Sequence, residues 1–164
     1  MMENERAITC CFTGHRKVPK TCEPIVRVNL ARAVGELYQK GYRRFVAGGA
    51  VGFDTMAADV VLGYRRHYPD VSLILMLPCA DQDAKWTEEE KAVYAKQKRE
   101  ADEVILLADR YYDGCMQKRN QAMVDASSVC IAYLTRPYSG AGQTVRMAEK
   151  AGLTVIHTAP SPKT

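Results

Sequence analysis

The feature that most constrains the fold of this chain is its regular alternation of short apolar runs with amphipathic segments. Six runs have the length of β-strands, at residues 7–12, 45–47, 71–77, 103–108, 128–134 and 153–157. Between them lie five segments with helical spacing of apolar residues, at 25–38, 53–64, 87–101, 116–126 and 143–151. Strands without polar alternation are typical of sheets covered by helices on both faces, and strand–helix repetition favours right-handed parallel crossovers. The pattern predicts an α/β fold: a Rossmann-like, doubly wound, mainly parallel sheet of five to seven strands.

The length and the first helix add two further expectations. At 164 residues the chain fits one domain, and with no linker or internal repeat we expect residues 1–164 to form it, with a core at about 7–157. In the helix at 25–38 the residues spaced along one face are Ile25, Val28, Ala31, Val34, Leu37 and Tyr38. We expect that face to be buried.

Composition narrows the cellular setting and the partners. The formal net charge is only +4 and the basic residues are scattered, which disfavours nucleic acid as a partner. No apolar run approaches the ~20 residues needed to cross a bilayer, and the acidic and basic residues near the N-terminus do not fit a secretory signal. The six cysteines form no C-x-x-C pair or zinc spacing, which favours structural thiols over metal or redox roles. We therefore expect a cytoplasmic protein without a membrane segment or metal; we also expect a homo-oligomer, although the sequence does not identify its interface.

Two loops after early strands carry residues suited to phosphate. In open parallel sheets, ligands bind beyond the carboxyl ends of strands. Thr13-Gly14-His15-Arg16 follows the first strand and offers a hydroxyl, a tight turn and a guanidinium, although a simple strand-ending turn is the alternative. Gly48-Gly49-Ala50-Val51-Gly52-Phe53-Asp54 follows the second strand, where its glycines leave amides free at a helix N-terminus. Asp54 is a candidate for binding a ribose hydroxyl or for capping the helix.

Later loops supply a second candidate cradle and possible stacking groups. Ser139-Gly140-Ala141-Gly142-Gln143-Thr144 again opens onto a predicted helix. Trp86 is suited either to stacking on a base or to anchoring the following helix, and Tyr111 lies in a loop at the same edge. The predicted ligand-binding residues are Thr13, Gly14, Arg16, Gly48, Gly49, Gly52, Asp54, Trp86, Arg119, Ser139, Gly140, Gly142 and Thr144.

Together these motifs resemble a known family. The strand-end T-G-H-R, the G-G-A-V-G-F-D loop, the P-C-A-D-Q-D-A-K-W segment at 78–86, the stretch 119–133 and the late G-A-G-Q-T are similar to the YpsA-like proteins. Those proteins belong to the SLOG superfamily, which groups DNA-processing protein A and the Lonely Guy phosphoribohydrolases around one Rossmann-like fold. The resemblance implies a nucleotide or nucleotide-derived ligand, such as ADP-ribose, NAD or a nucleoside phosphate.

One departure from the pattern bears on catalysis. Lonely Guy enzymes carry P-G-G-x-G-T-x-x-E, whose glutamate works on the N-glycosidic bond. Here Met147 stands three residues after Thr144, and the nearest carboxylate, Glu149, points to another helix face. The leading hypothesis is therefore binding or sensing of a nucleotide-derived small molecule. The alternatives are hydrolysis of an N-glycosidic bond in nucleoside monophosphates, with Asp54, Asp81 or Glu149 as the acid, and binding of single-stranded nucleic acid.

Overall fold

The computed structural model describes residues 2–160, with side chains described from Glu5 onward. Six parallel strands form one sheet in the order β4-β3-β2-β1-β5-β6. The strands are β1 (Thr9–Gly14), β2 (Arg44–Ala47), β3 (Ser72–Leu77), β4 (Glu103–Leu106), β5 (Val129–Tyr133) and β6 (Thr154–His157). The helices are α1 (Met2–Ala7), α2 (Glu23–Gln39), α3 (Phe53–Arg65), α4 (Glu88–Glu100), α5 (Cys115–Asp125) and α6 (Gly140–Lys150). The predicted Rossmann-like, parallel α/β fold is confirmed.

Each inner strand contributes to two apolar cores because successive side chains point to opposite faces of the sheet. On β1, Phe12 packs into a core that also takes residues of α2, α3 and α4. Cys11 packs into a second core, with Met123 of α5 and Ala148 of α6. Helices therefore cover both faces of the sheet, which is why the strands consist of unbroken apolar runs. None of the described helices is both long and apolar enough to span a membrane.

The order of the strands locates the point where a ligand cavity is expected. From β1 the chain moves outward through β2 and β3 to β4, and it then returns to place β5 on the other side of β1. The pairing of β1 with β5 sets Thr13 beside Ala132 and Gly14 beside Tyr133. Loops that leave these two adjacent strands diverge to opposite faces, which opens a crevice at their carboxyl ends.

Several of the predicted boundaries are wrong. Strand β4 ends at Leu106 and not at Ala108, and α2 begins at Glu23 and not at Ile25. Ala7 ends helix α1, which was not predicted, and β1 continues through Thr13 and Gly14 instead of ending before them. The pairing with β5 explains the extension, since both residues have partners in its register. Helix α6 begins at Gly140 and not at Gln143, because the Ser139 side chain caps it by accepting a hydrogen bond from the Gly142 amide at 3.0 Å.

The predicted buried face of α2 is also partly wrong. Ile25, Val28 and Ala31 are exposed, whereas Val26, Leu30 and Ala33 are buried. The helix carries two apolar stripes rotated by about 100°, the angle between neighbouring residues. The buried stripe packs against α3 and the sheet. It consists of Val26, Leu30, Ala33 and Leu37, at steps of four, three and four residues, together with Val34.

Candidate functional site

A cavity of about 870 Å³ opens at the carboxyl ends of β1 and β5, where the strand order reverses. Its wall is built from the end of β1 and the loop that follows, the β2–α3 loop, the first turns of α5, and the segment from Tyr133 to Ala141. Segments far apart in sequence therefore meet at one place. The volume lies in the range of ordinary ligand pockets, ~300–1,000 Å³.

The charged residues around this cavity are predominantly cationic. Arg16, Lys17, Arg119 and Arg136 all line it. Among the described residues, Asp54 is the only carboxylate in its wall. The lining therefore favours an anionic ligand over a neutral or cationic one.

Arg119 and Asp54 form the buried charged part of the wall. The Arg119 side chain is 5% exposed; it donates from Nη1 to the Gly48 carbonyl and from Nε to Asn120 Oδ1 at 2.8 Å. Asp54 accepts a hydrogen bond from the Ala50 amide at 3.3 Å. Burial raises the pKa of Asp54 and lowers the pKa of Arg119, while each charge partly offsets the effect of burial on the other.

The N-terminus of α6 presents free amides to the cavity. Ser139 caps the helix, and its hydroxyl also donates to the Arg136 carbonyl at 2.6 Å. Gly140 and Ala141 line the cavity, and no hydrogen bond from their amides is made within the described part of the chain. Uncommitted amides at a helix N-terminus are suited to bind phosphate oxygens.

Seven of the predicted ligand-binding residues line this cavity: Thr13, Gly14, Arg16, Asp54, Arg119, Ser139 and Gly140. The other six lie outside its wall: Gly48, Gly49, Gly52, Trp86, Gly142 and Thr144. The structure thus brings together the ends of β1 and β5 with α5 and α6, while none of the three predicted glycines of the β2–α3 loop lines the cavity.

Gly52 and Gly142 lie where two segments of the backbone approach each other closely. A Cβ on Gly52 would lie 2.1 Å from the Arg16 carbonyl oxygen, and the φ of Gly52 is +82°. The adjacent Phe53 amide donates to the His15 carbonyl at 3.1 Å. A Cβ on Gly142 would lie 1.9 Å from the Pro137 carbonyl oxygen. At both positions the absence of a side chain leaves room for a neighbouring loop of the same protein.

Trp86 packs on the core and on Tyr94, with ring centroids 5.0 Å apart, so the structure favours the anchoring role. Tyr111 is exposed, and its amide donates to Asp81 Oδ1 at 2.9 Å, which ties the two loops together. Cys115 begins α5 and is buried.

The carboxylate nearest to the late glycine loop in sequence lies away from the cavity. Glu149 is exposed in the last turn of α6 and does not line the cavity. Met147, which stands at the position of the Lonely Guy glutamate, packs against the core that includes Ala148. The N-terminal end of α6 faces the cavity without any carboxylate.

Several wall residues received no role from the sequence: His15, Lys17, Asn120, Tyr133, Thr135 and Arg136. His15 stands inside the quoted strand-end motif, and its Nε2 accepts hydrogen bonds from the amides of Thr135 at 3.0 Å and Arg136 at 3.3 Å. The available signal was position for His15, Lys17, Thr135 and Arg136, which follow a strand at the edge where parallel sheets bind ligands. Tyr133 ends β5, and Asn120 in the middle of α5 carried no such signal.

Comparison with known proteins agrees with this architecture. A protein from Bacillus subtilis described as the uncharacterized SPbeta prophage-derived protein YoqJ is 28% identical over 137 residues, covering 76% of this chain and 80% of that protein. DNA processing protein A from Streptococcus pneumoniae superposes with a TM-score of 0.65 at 16% identity, over 92% of this chain and 50% of that one. The Helicobacter pylori protein of the same name, described for its single-stranded DNA binding mode, also gives 0.65, at 19% identity, over 95% of this chain and 66% of that one.

The present chain thus spans about half to two thirds of these two structures, and the likeness to them is one of fold. The model of the YspA SLOG family matches residues 13–151, which include both strand ends and every helix that lines the cavity. The chain therefore belongs to the YpsA family of SLOG proteins.

Proposed function

We propose that this protein binds a phosphate-bearing, nucleotide-derived small molecule in the cavity between β1 and β5. The observation that supports the proposal most directly is the lining: four cationic residues and one buried carboxylate line a cavity of about 870 Å³. The free amides at the start of α6 add neutral donors for phosphate oxygens. ADP-ribose, NAD and AMP are the ligands to test, since each joins a phosphate to a ribose and a base.

The residues of the site have three kinds of role under this proposal. Arg16, Arg136 and the amides of Gly140 and Ala141 bind phosphate, and Thr13 offers a hydroxyl from the end of β1. Asp54 binds a ribose hydroxyl, while Arg119 holds Asp54 and the Gly48 carbonyl in place. Gly52 and Gly142 act indirectly, by allowing the loops that carry the wall to approach each other.

Isothermal titration of the wild type with ADP-ribose, NAD and AMP tests the proposal. We expect saturable binding to at least one of them at millimolar concentration or below. Arg136→Gln removes an exposed wall cation, and we expect it to weaken binding about tenfold or more, since a charged hydrogen bond contributes ~1.5–3 kcal/mol.

The matched control is Arg32→Gln, which removes an exposed arginine from the middle of α2, outside the cavity wall. It alters the net charge equally, so we expect unchanged affinity. Equal weakening by both variants would assign the effect to overall charge, and absence of binding to all three ligands would refute the proposal.

Hydrolysis of an N-glycosidic bond is the alternative that Asp54 supports, because it is a buried carboxylate in the cavity wall with a raised pKa. Such a group can hold a proton for a leaving base. Release of free base from AMP by the wild type, abolished in Asp54→Asn, would favour this alternative. Binding without any base release would favour a binding or sensing role.

Binding of single-stranded nucleic acid is a second candidate. The sequence disfavours nucleic acid as a partner, but the likeness to DNA processing protein A does not support that expectation. Tyr111, Tyr112 and Tyr138 are exposed in loops that precede α5 and α6, at the edge of the sheet where the cavity opens. Exposed aromatic rings beside cations are suited to stack on bases. An electrophoretic mobility shift with single-stranded DNA at low salt tests this candidate, and loss of the shift in Tyr138→Ala would support it.

A further inference from the structure

His15 is a buried side chain in the cavity wall, only 5% exposed. Its Nε2 accepts hydrogen bonds from two backbone amides, Thr135 at 3.0 Å and Arg136 at 3.3 Å. An imidazole nitrogen that accepts must carry a lone pair, so the single proton of the neutral ring resides on Nδ1. The ring also packs edge to face on Tyr133, with centroids 5.6 Å apart, which limits its rotation.

The Nδ1–H group has no protein partner in the described part of the chain. The side-chain nitrogen and oxygen atoms that are both solvent-inaccessible and unpartnered among the described residues are Arg44 Nε and Gln82 Oε1. His15 Nδ1 is not one of them, so this atom is not sealed from solvent, and His15 lines the cavity. A buried ring thus presents one uncommitted donor to the site.

The opposite edge of the ring holds the loop between β5 and α6. His15 Nε2 binds the Arg136 amide, the Arg136 carbonyl accepts from Ser139 Oγ at 2.6 Å, and Ser139 Oγ accepts from the Gly142 amide at 3.0 Å. This series of hydrogen bonds connects the end of β1 to the first turn of α6. The position of the free amides of Gly140 and Ala141 therefore depends on His15.

We infer that His15 is a ligand-binding and positioning residue of the nucleotide site: its Nδ1–H donates to a phosphate oxygen of the ligand, while its Nε2 fixes the loop that carries the α6 amides. The inference deepens the proposed function and rests on it. The neutral ring is required for the contact with the loop, because a second proton on Nε2 would face the two amide N–H groups and displace the loop that carries the α6 amides.

The surroundings of His15 favour the neutral ring. Burial, and then the Arg136 charge, lower its pKa below 6.5. The other titratable or charged groups that line the same cavity come from the β1–α2 loop, α2, α3, α5 and β5, and are Arg16, Lys17, Cys22, Asp54, Arg119 and Tyr133. Of these, only Asp54 is a carboxyl group, and Arg119 lies beside it.

The consequence is a pH dependence with an unusual sign. A histidine that simply neutralised a phosphate would bind it more tightly as pH falls. Here protonation breaks the contact between Nε2 and the loop, so affinity decreases as pH falls through the lowered pKa of His15. ADP-ribose is the appropriate probe, because a phosphomonoester such as AMP itself titrates near pH 6, whereas the diphosphate of ADP-ribose has no monoester group to titrate there.

The experiment measures ADP-ribose affinity between pH 5 and 8 for the wild type, His15→Gln and His157→Gln. We expect the affinity of the wild type for ADP-ribose to fall about tenfold or more as the pH is lowered from 8 to 5. His15→Gln keeps a side-chain acceptor for the loop but has no titrating ring, so we expect weaker binding at pH 7.5 and a flat profile. His157 is exposed at the end of β6, and we expect its replacement to reproduce the wild-type profile.

A second measurement needs no ligand. Long-range ¹H–¹⁵N correlation of the imidazole in the free wild type reports its tautomer and pKa, and we expect the Nδ1–H form and a pKa below 6.5. An Nε2–H tautomer, or binding that tightens as pH falls, would overturn the inference. Absence of ADP-ribose binding at pH 7.5 would overturn the phosphate contact of His15 Nδ1, and the proposed function falls as well if NAD and AMP also fail to bind. The tautomer then still tests whether Nε2 holds the loop.

Discussion

Arg119 and Asp54 come from different helices, yet both lie against Gly48. A Cβ added to Gly48 would be 2.7 Å from Arg119 Nη1 and 2.9 Å from Asp54 Oδ2. Two opposite charges and a backbone carbonyl thus share one small buried volume next to the cavity. Buried charges are costly unless they are paired, so each of these groups depends on the other.

Replacement of the arginine alone is expected to destabilise the protein. Arg119→Met leaves the Gly48 carbonyl without its donor and Asp54 without the stronger of its two cationic neighbours, and we expect the free energy of unfolding to fall by about 3 kcal/mol. Urea denaturation at pH 7.5 measures the effect, with Lys118→Met on the exposed side of α5 as the control. The double variant Asp54→Asn/Arg119→Met should recover part of the loss, and strictly additive losses would show that the two groups are not coupled.

His15 should also make stability depend on pH in the absence of ligand. Its pKa is lower in the folded protein than the ordinary 6.5, so the unfolded chain binds more protons as the pH falls. The contribution is complete above about pH 6.5 and is lost progressively below it. Urea denaturation should show a larger decrease from pH 7.5 to 5.0 for the wild type than for His15→Gln. Parallel decreases would assign the pH dependence to other groups.

At the scale of elements, the start of α3 depends on a close approach of two loops. Gly52 adopts a φ of +82°, and the Arg16 backbone occupies the space where a side chain would begin. The glycine-rich sequence after β2 was interpreted as a cradle for phosphate. A glycine pattern indicates that some backbone comes close, but the sequence alone does not reveal whether the approaching group is a ligand or another loop.

Two glycine substitutions in the same region should have opposite effects. We expect Gly52→Ala to lower the free energy of unfolding by at least about 1–3 kcal/mol, because the new Cβ meets the Arg16 backbone at an unfavourable φ. Gly63→Ala, in the interior of α3 with no atom within 4 Å of the new Cβ, should raise it by up to about 1 kcal/mol. Thermal denaturation of both variants measures the contrast, and similar effects at the two positions would contradict the structural assignment of Gly52.

The elements also show which features a sequence can predict. The six strands and five of the helices were predicted from apolar spacing, because a sheet buried on both faces requires continuous apolar runs. The face of α2 was mispredicted because that helix carries two apolar stripes, and only packing against α3 and the sheet selects Val26 and Leu30 over Ile25 and Val28. Helix α1 lacks apolar spacing and was missed. The glycine loops located the correct edge of the sheet, whereas the roles of His15 and Arg136 required the register of β1 with β5.

For the whole molecule, the expected self-association remains a prediction, and β4 is the place to test it. This edge strand has no neighbour on its outer side among the described residues, and its Val104 and Leu106 are 43% and 47% exposed. Open apolar edges favour pairing with another chain. We expect sedimentation velocity at tens of micromolar to show an oligomer that Leu106→Lys shifts toward monomer, while Val28→Lys on α2 leaves it unchanged. A wild-type monomer would contradict the expectation.

The pairing of β1 with β5 has a consequence during synthesis of the protein on the ribosome. Once Ala47 has emerged, β1 can pair with β2, but its other side stays open until Tyr133 has been made. At ~5–20 residues per second this interval lasts roughly 5 to 20 s. During it the most central strand of the finished sheet is an exposed edge that carries Cys10, Cys11 and Phe12, all buried in the mature protein. The strand order that forms the cavity therefore also leaves an apolar strand edge of the nascent chain exposed during synthesis.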